Sequence, residues 1–180
     1  MAKIAVGTIA LLTAMATVHT PTAAQISFGG QFSVTNLGTE SVQVGETVGV
    51  GARLGVRVLE SDKGTLMIEA VGEAMFPPCQ GTLSCELFGG QINLVGFSQY
   101  NDRALVYAGV GPVYQTYTLV DEVAGDTAEG SSIGFSMIIG TSWTVSPSFS
   151  PFFEIRLSAM KDMRTQSAGS IGFRITPGQN

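Results

Sequence analysis

The chain has 180 residues, of which 44% are hydrophobic and only 13% charged, with a formal net charge of -5. About a quarter of an ordinary globular domain is charged, so this surface is too apolar for an ordinary cytosolic protein. The apolar content excludes disorder, the acidic balance excludes a basic nucleic-acid binder, and the length fits one domain.

Met1 to Lys3 makes a short positive start, Ile4 to Val18 is apolar, and Thr22-Ala23-Ala24 supplies the small residues a signal peptidase reads. This three-part pattern predicts a cleaved secretory signal over 1–24. The apolar run is shorter than the about 20 residues a spanning helix needs. Lys3 and His19 leave with the signal, so the mature chain carries a net charge of -6 and no histidine. That removes Ser-His-Asp and Cys-His arrangements, histidine bases and histidine metal sites. Cys79 and Cys85, the two cysteines, read as a disulfide stapling one loop of an exported protein. Without histidine they are too few for a structural zinc site.

The rest alternates with period two, the signature of strands with one apolar and one polar or small face. Ile26–Val34 puts Ile26, Phe28, Phe32 and Val34 on one face. Val42–Val58 is the clearest, with Val44, Val48, Val50, Leu54 and Val56 opposite Gln43, Thr47, Arg53 and Arg57. Thr65–Phe76 sets Leu66, Ile68, Ala70 and Phe76 against Glu69 and Glu73, and Gln91–Tyr100 sets Ile92 and Leu94 against Gln91 and Asn93. Ala104–Tyr117 is apolar or glycine on both faces, so its facing is open. Ile133–Val145, Phe152–Met160 and Ala168–Ile175 complete the set, the last two with Glu154, Arg156 and Arg174 on their polar faces. Pro112 falls inside the fifth strand, where it removes a ladder hydrogen bond and implies a bulge or a strand end.

Eight strands admit two barrels. A soluble barrel buries the apolar faces around an apolar ligand; a membrane barrel turns them to lipid and its polar faces to the lumen. The polar faces are poor in lysine, with which soluble sheets cover exposed surfaces and edges. They combine glycine, serine and isolated charges of both signs, which suits a narrow interior. The connections agree: short turns at Glu60–Gly64, Asn101–Arg103 and Ser146–Ser150 alternate with longer loops at Leu37–Glu46, Pro77–Gly90 and Thr118–Ser132, and Lys161–Ser167 makes a fourth. The expected fold is all-β, an eight-stranded antiparallel up-and-down transmembrane barrel over 25–175, with a short tail at 176–180. Tyr100, Trp143 and Phe153 near one rim and Tyr117 near the other are the candidate interface aromatics.

With its signal, eight strands, Gly109-Val110-Gly111, and the late pair Pro151-Phe152-Phe153-Glu154-Ile155-Arg156 and Ser170-Ile171-Gly172-Phe173-Arg174-Ile175, the chain resembles the small bacterial outer-membrane β-barrel proteins of the OmpA/OmpX-like superfamily. The resemblance covers nearly the whole mature chain and implies a monomer in the bacterial outer membrane, in contact with its lipid and lipopolysaccharide and inserted by the outer-membrane assembly machinery. Relatives usually end on an aromatic residue, whereas this chain runs on through Thr176-Pro177-Gly178-Gln179-Asn180. The lipid A acyltransferases and deacylases of similar size rely on a catalytic histidine, which the mature chain lacks. No enzyme, cofactor or nucleic-acid partner is implied.

The candidate site is therefore a lumen charge network of Arg53, Arg57, Glu69, Glu73, Glu154, Arg156 and Arg174. A three-residue turn at Asp62–Gly64 pairs Ser61 with Thr65, which places Arg57 opposite Glu69 and Arg53 opposite Glu73; Glu154 and Arg174 make a third pair across the last hairpin. Such a network plugs the barrel, or lines a narrow low-conductance pore. Glu69 and Glu73 are about 13 Å apart along a strand, too far for a glycosidase acid/base pair. Asp121, Glu122, Asp126 and Glu129 make an acidic loop, solvated or weakly cation-binding. The longer loops are the candidate surface-interaction elements.

Overall fold

The computed structural model describes residues 25–38, 43–61, 64–78, 83–121, 127–161 and 165–177. The predicted signal, Cys79, and the hairpin tips that include Asp62, Lys63, Glu122 and Asp126 lie outside these residues.

Eight strands, β1 (Ile26–Gly38), β2 (Gln43–Ser61), β3 (Gly64–Phe76), β4 (Leu83–Asn101), β5 (Ala104–Asp121), β6 (Thr127–Trp143), β7 (Phe149–Met160) and β8 (Gln166–Ile175), pair in chain order. β8 closes on β1, so the sheet is a barrel without a free edge along its shared wall. Stepping across paired residues from Ile26 through Val56, Ile68, Leu94, Val110, Met137, Leu157 and Ser167 returns to β1 at Asn36. That stagger of ten residues over eight strands fixes a strand tilt of about 40° and a bore that side chains can fill.

The alternation decides which solvent each face meets. Phe28, Val50, Leu54, Ile92, Ile139, Phe153 and Ile171 are exposed on the outside, while Gln31, Arg53, Glu69, Asn93, Glu154 and Arg174 are buried within. A water-soluble barrel has the opposite arrangement, so the alternative of an interior lined for an apolar ligand is overturned. The outward belt can be at rest only in hydrocarbon, and the closed hydrogen-bonded wall satisfies its backbone there. The fold is a transmembrane β-barrel.

Four details settle or depart from the sequence reading. The first concerns β5, whose facing was open: Tyr107, Val113 and Gln115 point inward, and Val106, Val110 and Tyr114 outward. Second, Pro112 marks neither a bulge nor a strand end. Pairing between β4 and β5 is interrupted at Ile92 and Asn93 and resumes in the same register, and Pro112 keeps its place opposite Phe135 on the other side. Third, the β2–β3 connection is two residues long, because Ser61 pairs with Gly64, and a register shift between Arg57 and Leu59 follows. Arg57 then stands opposite Met67 and Arg53 opposite Val71.

The fourth departure is at the loop end, where strands reach into segments expected to be loop. β1 runs to Gly38, β4 starts at Leu83, β5 runs to Asp121 and β6 starts at Thr127. Leu83–Glu86 pair only with β5, because β3 ends its ladder at Met75 opposite Leu87. Among the described residues Thr127–Ser132 likewise have strand partners in β5 alone, the β6–β7 ladder being described from Gly134 and Met160 and extended by a Ser132 hydroxyl bond to the Lys161 carbonyl. A three-stranded ribbon of β4, β5 and β6 thus rises beyond the closed wall.

Candidate functional site

The lumen is layered. At the short-turn end Val95, Phe97, Tyr107, Ile138 and Phe152 form a buried apolar layer, with Met67 and Leu105 packed against it. Glycines on the wall make room for the rings. A Cβ at Gly140 would lie 2.4 Å from the Tyr107 ring, and one at Gly172 would lie 2.6 Å from that of Phe152.

A chain of four charges lies on this layer. Arg53 Nη1 donates to Glu69 at 3.0 Å and Arg53 Nη2 to Glu154 at 3.2 Å. Arg174 Nε donates to Glu69 at 2.9 Å, and the Tyr107 hydroxyl to Glu154 at 3.1 Å. Both guanidiniums also stack on the rings beneath them, Arg53 at 4.1 Å from the Phe152 centroid and Arg174 at 4.6 Å from Phe152 and 4.7 Å from Tyr107. Cation–π contacts strengthen when desolvated, so the aromatic layer serves as floor and partner at once. Gln31 accepts from Arg53, with Nε at 3.1 Å.

Toward the loop end the packing is looser in kind. Arg156 Nη2 meets Glu73 at 2.7 Å, and the Ser33 hydroxyl donates to the other oxygen of Glu73. Gln115 and Gln166 exchange reciprocal amide bonds at 3.0 Å, and Ser136 donates to Asn93 at 3.2 Å. Met75 and Leu87, with Tyr117 against them, close this end.

Of the seven predicted network residues, Arg53, Glu69, Glu73, Glu154, Arg156 and Arg174 are buried in the lumen as three arginines and three glutamates. Burying equal numbers of opposite charges within bonding reach is what a low-dielectric interior tolerates. Arg57 instead sits at the short-turn mouth, 2.6 Å from Glu60. The partners differ from those expected: Arg57 does not meet Glu69, Arg53 meets Glu69 and Glu154 rather than Glu73, and Arg174 meets Glu69 rather than Glu154. The short β2–β3 connection and the shift near Arg57 account for the first two. Glu154 pairs across the sheet with Ser170, and Arg174 with Ser150, which accounts for the third. Long side chains then bond across the bore, which the register of one hairpin does not specify. Sequence reasoning missed Tyr107, Phe152, Gln31 and Ser33. Phe152 shares the period-two face of Glu154 and Arg156 and was therefore within reach of the alternation, whereas Tyr107 was detectable only once β5 could be faced.

Tyr100, Trp143 and Phe153 are exposed on the outer surface. Tyr117 is a correction, since it packs inward on Met75 and Leu87 rather than at the lipid interface. Phe76, Phe88 and Tyr114 are the outward aromatics toward the loop end. Cys85 lies in β4, and the pairing with Cys79 falls outside the described residues. So do Glu122 and Asp126 of the acidic loop; among the described residues no cluster of metal-ligating side chains is present.

No protein-family model matches the chain, and no curated protein matches it in sequence. Solved structures do. The chain is similar to the attachment invasion locus protein Ail of Yersinia pestis, with a TM-score of 0.65 at 10% identity, over 85% of this chain and 98% of that one. It is similar to Neisserial surface protein A, at 0.62 and 12% identity over 83% and 96%. It is also similar to the N-terminal β-barrel domain of OprF from Pseudomonas aeruginosa, at 0.57 and 7% identity over 85% and 98%. At such identities what is shared is the fold, that of the small outer-membrane barrels. Ail has also been crystallised with the heparin analogue sucrose octasulfate.

Proposed function

We propose that this chain is a non-enzymatic, monomeric barrel of the bacterial outer membrane, with a filled lumen, that works through the ribbon it raises on its loop side. One observation carries the reading: among the described residues, Thr127–Ser131 of β6 are in strand conformation with a ladder to β5 alone, above the last described pair of β6 with β7. An unpaired strand edge clear of the membrane is a template for an extended peptide, which adds as a further strand through main-chain bonds. The filled lumen supports the non-conducting part, since the charges of the bore bind one another and an aromatic layer underlies them.

The similarity to Ail does not bring its sulfated ligand with it. The loop-side segments of this sequence hold Glu40, Glu46, Glu86, Asp121, Glu122, Asp126, Glu129 and Asp162 against Lys161 and Arg164. An acidic rim repels a polyanion. The same rim fits divalent cations bridging it to lipopolysaccharide phosphates, and the Cys79–Cys85 disulfide would brace the base of the ribbon.

The refolded protein should run at a heat-dependent position in cold SDS and fractionate with the outer membrane in cells. In planar bilayers it should show no steady conductance. Selection from a displayed peptide library should enrich extended binders, and a Thr127→Pro, Glu129→Pro double variant should lose them while keeping the heat shift. A variant that binds those peptides undiminished would sink the ribbon reading. A soluble protein without heat shift would sink the whole.

A further inference from the structure

The loop-side half of the lumen holds more polar atoms than its side chains pair. Gln91 is 5% exposed, yet neither its Nε2 nor its Oε1 has a hydrogen-bond partner among the described residues. Asn93 Nδ2, on the same face of β4, has none either. Buried polar groups in proteins are almost always satisfied, and an orphan amide calls for a partner of some kind. Beside Gln91 lies a cavity of about 10 Å³ whose wall includes Val71, Glu73, Gln91, Val113, Gln115 and Arg156. That space is the size one water requires, and a buried water needs two or more polar neighbours.

The chemistry of the wall selects the occupant. Arg156 repels a cation and Glu73 repels an anion, while the volume admits nothing larger than a single oxygen. Glu73 already accepts from Arg156 and Ser33, but each carboxylate oxygen carries two lone pairs, so it has capacity left. Gln91 is also the last residue of β4 paired with β5 before the interruption opposite Pro112. At that point the wall has lost ladder bonds, and a side-chain tie is most useful.

We infer that a single water molecule is a resident ligand of the lumen, bound between the Gln91 amide and the Glu73–Arg156 pair. It accepts from Gln91 Nε2 and donates to Glu73. In this way it ties β4 to the ion pair shared by β3 and β7, beside the weakest rung of the β4–β5 ladder.

The test uses the full mature protein refolded in lipid nanodiscs with glutamine amides labelled. A water-to-amide nuclear Overhauser contact with the sign of a long-lived complex is expected at the Gln91 side chain, assigned by its loss in Gln91→Met. Exposed Gln99 should show only fast exchange with bulk water. In urea, Gln91→Met should lower the unfolding midpoint by roughly 0.5 M, because the water and its bonds go together. If Gln91 is a dry orphan, the water contact is missing and removing its amide leaves the midpoint unchanged or raises it. Either of those results overturns the site.

Discussion

The two halves of the lumen solve the same problem by different means. In the short-turn half every charge is held twice over: Glu69 by two guanidiniums, Arg53 by Glu69 and Glu154, and Arg174 by Glu69 and the faces of Phe97, Tyr107 and Phe152. In the loop half one ion pair, Glu73 with Arg156, shares its space with serines, threonines and amides, several of whose atoms have no protein partner. The first arrangement converges on one carboxylate and so leaves little slack for its loss, although Arg174 Nη1 and Gln31 Nε2 have no partner among the described residues. The second is polar beneath its cap of Met75, Leu87 and Tyr117, so water can stand in there for a missing group. The same barrel geometry therefore supports a rigid end and a forgiving one, and the difference lies in where the aromatic rings are.

The largest effect should come from removing the carboxylate on which the rigid half converges. Glu69→Ala takes from Arg174 its carboxylate partner and leaves Arg53 with Glu154 and Gln31, and breaking a buried pair from one side costs about 3–5 kcal/mol. Glu73→Ala leaves Arg156 beside a cavity and neighbouring amides, and should cost about 1–3 kcal/mol. Urea titration of both variants in the same lipid measures the gap. Equal losses would mean that the two halves are not distinct.

Glycine substitutions probe packing instead of charge. Gly140→Ala drives a Cβ into the Tyr107 ring at 2.4 Å and the Phe153 carbonyl at 2.6 Å, so overpacking of about 1–3 kcal/mol is expected. Gly89→Ala, in the loop half, meets only the flexible end of Met75 at 3.2 Å and the Gln115 side chain at 3.5 Å. Its change should stay within about 0.5 kcal/mol. A tolerated Gly140→Ala would show that the aromatic layer has slack, and would narrow the contrast to electrostatics.

Which parts of this were legible in advance follows from what each signal reports. Period-two alternation is a property of single strands, so Phe28, Ile68, Glu69, Glu73, Glu154 and Arg174 were assigned to their faces correctly from sequence. Ala104–Tyr117 was not, because a strand with Val106 and Val110 on one side and Tyr107 and Val113 on the other has no polar face to read. Partners across the bore were illegible for a deeper reason. Arg53 reaches Glu154, 101 residues away, over the lumen rather than along a ladder, and only the closed stagger brings those strands face to face. Register failed at one connection, where two residues in place of three displaced the expected pairs of Arg53 and Arg57. Loop length failed because the ribbon strands continue past the membrane belt. There Thr118 to Asp121 and Thr127 to Ser132 lose the apolar alternation that marks a strand in lipid but keep their ladder.

The smallest effect should be at the mouth, and it sharpens the comparison by supplying its solvent-exposed limit. Arg57 and Glu60 form an ion pair of 2.6 Å, shorter than any in the lumen, yet their side chains are 21% and 62% exposed. Distance alone would rank this pair first. Exposure ranks it last, because water solvates both ends once they part and salt screens what remains, leaving about 0–1 kcal/mol. Glu60→Gln should therefore shift the urea midpoint little, and any shift should vanish at high salt. The loss in Glu69→Ala should persist there, since counterions do not enter the layer between Arg53 and Phe152. A salt-insensitive loss in Glu60→Gln would place the dry region of the barrel one turn lower than the aromatic layer does.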